Sequence, residues 1–230
     1  MMKVSLMSHT PDPVRVVAEA ARCCYSRNPK EDLKDPDKLV RKLFRSQHMS
    51  PFEHASFQFY IEGISRACSH QLVRHRIGSY SQRSQRYVSE DTFEYVMPPQ
   101  MENAVVELQD GTEVFAKDYY SETMKILSER YRVLQKALGG KTESSNEDAR
   151  YILPNACTTQ LTMTMNASSL HHFFHERLCS HAQWEIRSLA GKMLELVKEA
   201  APVLFEQAGP RCSLFNCCPS GIPCSLYQGK

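Results

Sequence analysis

Residues 74 to 87, RHRIGSYSQRSQRY, hold Arg74, His75, Arg76, Arg83 and Arg86 without a single carboxylate. Arg66 precedes them, and no acidic residue lies between Glu62 and Glu90, so five arginines gather in a chain whose formal net charge is only +2. Guanidinium groups held close together repel, and the usual compensation is an anion bound between them. Ser79, Ser81 and Ser84 interleave with the arginines as short hydroxyl donors, and Gly78 allows the backbone to come close. These features favour a phosphate cradle over a solvated basic face. It is not a Walker loop: no glycine-rich run precedes a Lys-Ser or Lys-Thr pair, and no G-x-G-x-x-G occurs. The anion is therefore expected to be held by side-chain forks.

Three further residues attract attention only in company. His54, in PFEHASFQF, reads by itself as a structural histidine. Arg150 reads as a helix-surface partner for Glu147, and Arg177 as one for Glu176 or Glu185. His171, His172 and His175 share helical spacing, but no H-E-x-x-H frame completes them, and no metal is expected there.

The nine cysteines are an odd number, so they cannot all pair internally, and with no secretion signal free thiols are the default. Cys23, Cys24, Cys68, Cys157 and Cys179 read as small buried hydrophobes. Cys212, Cys217, Cys218 and Cys224 crowd the tail, but without paired C-x-x-C knuckles a reduced tail is expected over a zinc site.

The supporting elements follow from period and punctuation. Asp12-Pro13 and Asp35-Pro36 each pair an N-cap with a first-turn proline, predicting helices to about Tyr25 and past Phe44. From His54 the pattern changes to alternation through Ala55, Phe57, Phe59 and Ile61, a half-buried strand that Gly63 should stop. Ser65 caps a helix reaching His75, which places Arg74 on its last turn, and a loop begins at Gly78. Thr92 to Val96 reads as a short strand, and 114 to 138 as a long helix ended by Gly139 and Gly140. Asn146 caps a short helix, 157 to 166 alternates as a strand, and helices start at Asn166 or Ser168 and near His181, the latter ended by Pro202. The class is α+β: a small, mainly antiparallel sheet packed by several helices.

At 230 residues with 42% hydrophobic composition, the chain can bury a substantial core, read as one domain over 1–208 with a Cys-rich tail over 209–230. Its near-neutral charge argues against a general nucleic-acid binder. No apolar run reaches membrane-spanning length, and Pro11 and Pro13 interrupt any signal-peptide core, so a cytoplasmic protein is expected.

Taken together, Arg74-His75-Arg76, seven residues and then Ser84 resemble the signature of the flavin-dependent thymidylate synthases. PFEH at 51–54, AR with LP at 149–154, MNA at 165–167 and SHAQWEI at 180–186 extend the resemblance in order. It implies conversion of dUMP to dTMP, with methylenetetrahydrofolate as carbon donor and reducing equivalents passing from NADPH through FAD. It further implies that Arg74, His75 and Arg76 contact FAD, as do His54, Gln82, Asn166, His172 and His181. Gln71, Arg74, Gln82, Arg83, Ser84, Arg86, Arg150 and Arg177 are implied for dUMP, and Arg177, His54 and Arg74 for catalysis.

The family's homotetramer places FAD where subunits meet, so His54 and the RHR segment are expected to meet His172 and His181 across a boundary. Where relatives often carry Asn, Glu, Arg and Asn, this chain has Ser81, Gln82, Ser168 and His172. Ser84 is read as a binding residue, because Arg83 and Arg86 cannot serve it as a base. Cys157 lacks the setting of a nucleophile. The rival reading is a non-catalytic nucleotide or RNA-binding module, with Tyr80 or Tyr87 stacking on bases.

Overall fold

The structure, a computed structural model, describes residues 1–212 together with 218, 221, 224 and 226. In chain order its elements begin with β1 (Lys3–His9), α1 (Pro13–Arg22), α2 (Pro36–Arg45), a 3-10 turn (Ser50–His54), β2 (Ser56–Ser65), α3 (Arg66–Leu72) and β3 (Ser79–Gln82). A 3-10 turn (Pro99–Glu102), β4 (Val105–Glu107), β5 (Glu113–Phe115), α4 (Ala116–Ala137) and α5 (Glu143–Ala149) follow. A last 3-10 turn (Arg150–Ile152), β6 (Thr158–Asn166), α6 (Ala167–Arg177), α7 (Trp184–Ala200) and α8 (Pro202–Phe205) complete it. The larger sheet has the order β1-β2-β6-β3, and β4 and β5 form a separate antiparallel pair with Val105 opposite Phe115. The class is α+β, a small antiparallel sheet with helices, as the sequence predicts.

The chain divides into two compact units. One comprises Glu62–His70 and Gln82–Gln160 with Met1; the other comprises Met2–Ile61, Gln71–Ser81 and Leu161–Lys230. In the second unit α1 packs on α2, α6 on α7, and α7 on both β1 and α8. Its core is aromatic: Phe57 lies against Phe205 at 5.2 Å between ring centroids, and Phe174 meets the same ring edge-on at 6.1 Å. In the first unit α4 packs on α5, over a wholly buried Tyr131.

Both Asp-Pro caps form. Asp12 accepts from the Arg15 amide and Asp35 from the Lys38 amide, and each proline opens its helix. The alternation in β2 buries Phe57, Phe59 and Ile61, with Ala55 just before it also buried, and that in β6 buries Leu161, Met163 and Met165. Gly139 and Gly140 follow α4 at positive φ, the conformation in which glycine costs least.

Other readings are corrected. Gly63 does not end β2; it sits inside the strand at φ 72°, which only a residue without Cβ adopts cheaply, and pairing continues to Ser65. His54 ends the 3-10 turn instead of opening the strand, because that turn, with Pro51 in its first positions, runs from Ser50 through His54. Ser65 does cap α3, accepting from the Cys68 amide at 2.9 Å, but the helix stops at Leu72, before Arg74. Thr142, not Asn146, caps α5. Tyr95 makes only an isolated bridge with Cys157, whereas β1, β3 and the β4-β5 pair had no counterpart in the sequence reading.

Phe57 has no solvent exposure and packs on Phe205 and His9. Replacing Phe57 by Ala is expected to lower the unfolding free energy by about 3–5 kcal/mol, with Phe57→Leu costing less. Urea unfolding of the two variants measures both; equal losses would show that ring volume is not what this site contributes.

Candidate active site

In the larger unit a cavity of about 700 Å³ is lined by Arg74, His75 and Arg76 on one side and by Ser168, His172 and Arg177 on the other. The first three come from the turn after α3, which is held by its own backbone: the Arg74 amide donates to the Gln71 carbonyl and the His75 amide to the Leu72 carbonyl. Tyr80 fixes that turn from beneath. Its hydroxyl donates to the His75 carbonyl at 2.7 Å and lies 3.2 Å from that of Leu72, and burial pushes the phenol up to about 12. A Cβ on Gly78 would come within 3.1 Å of the Tyr80 hydroxyl and 3.2 Å of Met165. The close approach that requires this glycine is thus to protein.

The opposite wall is α6. Asn166 caps it, its side-chain oxygen accepting from the Ser169 amide at 2.8 Å. Ser168, His172 and Glu176 recur every four residues and so share one helix face, with Arg177 at the helix end.

Arg177 donates from Nε to Nε2 of His75 at 2.9 Å. His75 accepts there only while that nitrogen is unprotonated, and its surroundings keep it so. Burial, then the Arg177 charge, then His172 hold its pKa down to about 4. Phe173 supplies an apolar wall, edge-on to the His75 ring at 5.0 Å. Neither Arg74 nor Arg76 has a carboxylate partner among the described residues, although Glu53 and Glu176 also line the cavity.

The smaller unit carries most of the residues assigned to dUMP. Gln82 donates to Ser69 Oγ at 2.9 Å and to Thr159 Oγ1 at 3.2 Å. Arg83 pairs with Glu90 at 3.0 Å and donates to the Thr158 carbonyl at 2.8 Å. Glu90 is almost fully buried, and burial raises its pKa against the pull of Arg83. Ser84 Oγ accepts from the Arg86 amide, closing the turn that presents Arg86. Asn146 donates to the Arg86 carbonyl at 2.8 Å, and its own carbonyl oxygen is met by Gln135 and Tyr131, so a buried polar set holds the turn.

The expectation that no carboxylate neutralises the arginine segment is corrected here. Arg86 bridges Glu143 at 2.8 Å and Glu147 at 2.9 Å, which lie one turn apart on α5. Arg150 donates to the Glu147 backbone carbonyl, not to its carboxylate.

One cavity therefore holds Arg74, His75, Arg76, His172 and Arg177. His54 lines a different one of about 660 Å³, with Arg27 and Lys30, and His181 lines a third of about 290 Å³. Gln71 sits near the end of α3, and Asn166 serves as a helix cap. Within one chain the His75 and His172 ring centroids lie 6.1 Å apart. Ser169 and Glu176 were missed, although the four-residue spacing from Ser168 marks Glu176. Tyr80, one of two aromatic side chains the RNA reading needs, has its hydroxyl committed inward. His171 is likewise internal: its Nε2 lies 2.9 Å from the Leu204 carbonyl, and it stacks on Phe205.

The fold thus gathers Arg74, Arg76 and Arg177 with two histidines around one cavity. A family model described as thymidylate synthase complementing protein matches residues 5–203, and the chain belongs to that family. It is 43% identical to a flavin-dependent thymidylate synthase of Clostridium tetani, over 97% of this chain and 93% of the relative. It is 45% identical to one of Geobacter sulfurreducens, over 97% and 94%. A third, from Nitratidesulfovibrio vulgaris, is 41% identical over 98% and 95%.

Burial also holds His171 down to about 4, so two imidazoles stay neutral in the fold well below the ordinary 6.5. Between those values the unfolded chain binds protons that the folded chain refuses, so stability rises with pH through the window. It is complete above about 6.5 and falls progressively as pH drops toward 4. Urea unfolding across this range should show that fall, and a shallower one for His75→Asn; equal slopes would remove His75 from the account.

Proposed function

We propose that this protein is a flavin-dependent thymidylate synthase that reductively methylates dUMP to dTMP. Membership of the family supports the reaction, and the observation that carries the site is the Arg177-to-His75 hydrogen bond inside a cationic cavity. The residues present fit a flavin: permanent charges at Arg74 and Arg76, an oriented Arg177, and a volume in the range of ligand pockets. Bound FAD would carry reducing equivalents from NADPH to the one-carbon unit that methylenetetrahydrofolate delivers to C5 of the uracil.

The chain's own residues bind and orient. Arg74 and Arg76 stabilise negative charge on the reduced ring system without moving a proton of their own. His75 and His172 face the same cavity, and His54, Gln82, Asn166 and His181 are assigned to the cofactor by family resemblance. Arg177, kept in register by His75, offers its remaining N–H groups to charge building on the uracil carbonyls. Arg86 and Arg150 take the phosphate, with Gln71, Gln82, Arg83 and Ser84 completing the nucleotide set. Arg74 and His54 complete the catalytic assignment with Arg177.

Residues 1–208 form the catalytic part of a cytoplasmic homotetramer in this reading, with FAD at subunit boundaries and 209–230 as a tail.

A spectrum of the purified protein tests the proposal first. It should be yellow, bleach with NADPH under nitrogen and form dTMP from dUMP; a colourless protein with steeply salt-dependent RNA affinity would overturn it. Arg86→Ala should raise KM for dUMP by roughly 10- to 100-fold, the equivalent of a charge-assisted hydrogen bond. Ser84→Ala should still form dTMP. Loss of all chemistry in that variant with dUMP binding intact would restore Ser84 as a nucleophile.

A further inference from the structure

Just beyond α6 the chain turns through Cys179 and His181 beside the cavity of about 290 Å³. Arg177, Arg211, Cys212 and Cys218 line the same space. Cys179 Sγ lies 3.6 Å from His181 Nδ1, a distance at which an imidazole nitrogen can take the thiol proton.

The tail is tied to this place. Arg211 pairs with Glu176 of α6 at 3.6 Å, which sets its neighbour Cys212 at the helix end that carries Cys179. Burial first, and then the nearness of Cys224, Cys179 and Cys218, push the Cys212 thiol up, which suits it to the second, resolving role better than to the first attack. No disulfide joins the described cysteines. Among the described residues no group of three His, Cys, Asp or Glu side chains is placed to hold a metal ion. Cys217 lies outside the described residues.

We infer that Cys179, paired with His181 and facing Cys212 in one cavity, is a peroxide-modified site whose oxidation joins the tail to the end of α6. The Cys179 proton passes to His181, and the thiolate attacks one oxygen of hydrogen peroxide. The O–O bond breaks, giving a sulfenic acid and hydroxide, which takes up a proton to leave as water. The Cys212 sulfur then displaces the sulfenic oxygen as a second water and forms the S–S bond. Two thiols are oxidised by two electrons in all, and one peroxide is reduced to two waters. Because Arg177 lines this cavity and the cationic one alike, the bridge constrains the residue that His75 orients. Any effect on dTMP formation rests on the proposed function; the covalent step does not.

The test uses reduced holoenzyme treated with hydrogen peroxide, then thiol-blocked and digested for peptide mass spectrometry. A Cys179–Cys212 disulfide that dithiothreitol removes is the expected product, with dTMP formation falling and recovering in step. Cys179→Ser should abolish the bridge and keep activity through the same treatment, while Cys212→Ser should leave Cys179 as a sulfenic or more oxidised acid. Full alkylation of Cys179 after peroxide would overturn the proposal. So would stoichiometric zinc that survives purification without a chelator and shields these thiols. If the disulfide forms in a protein that makes no dTMP, the thiol site stands and the thymidylate synthase reading falls.

Discussion

The hydrogen bond from Arg177 to His75 sets the character of the cationic cavity. A carboxylate in the place of His75 would orient the guanidinium equally well but cancel its charge. A neutral imidazole orients it and leaves the charge available to a ligand. The arrangement depends on His75 staying neutral, and the neighbours that ensure this are structural. Phe173 walls the ring, burial disfavours the imidazolium, and the Arg177 charge disfavours it further. Tyr80 then fixes the His75 backbone, so ring and guanidinium cannot drift apart without breaking a half-buried phenol's bonds.

The smaller unit holds its arginine differently. Arg86 is gripped by Glu143 and Glu147 on the surface of α5, where such pairs are individually weak. Its backbone, in contrast, is held by Asn146 within a buried set that includes Tyr131 and Gln135. The main chain is therefore rigid and the guanidinium exchangeable, a division that suits the phosphate contact proposed for Arg86. Arg83, next but two along the chain, meets buried Glu90 and the Thr158 carbonyl, which anchors the start of the same loop.

Much of this was legible in the sequence, and the parts that were not had more than one cause. The Asp-Pro caps and the two alternating strands are local signals, and both formed. The short strands β3, β4 and β5, of three or four residues, carry too few alternations to be separated from loop. For the site, the RHR motif located one wall of the cavity, but the wall from α6 depended on reading Ser168, His172 and Glu176 as one face. Local composition misled in one respect. The segment around Arg86 has no acid of its own, yet Glu143 and Glu147 reach it from 57 and 61 positions away, a distance no window of sequence can bridge.

The two ways of holding an arginine match the two anions of the proposed reaction. A nucleotide monophosphate is compact and close to doubly charged near neutral pH, so it can displace surface carboxylates from Arg86 by charge density and bidentate geometry. A reduced flavin spreads a single charge over a ring and would compete poorly against a carboxylate in contact with the same guanidinium. Arginines meant for it must stay out of ion pairs, and although Glu53 and Glu176 line the cavity, Arg177 donates to a neutral ring while Glu176, the acid nearest it in sequence, pairs with Arg211. The neutrality of His75 and the pairing of Glu176 thus serve one electrostatic requirement. An acid freed at position 176 would threaten the cavity's charge as directly as a proton on His75 would threaten its geometry.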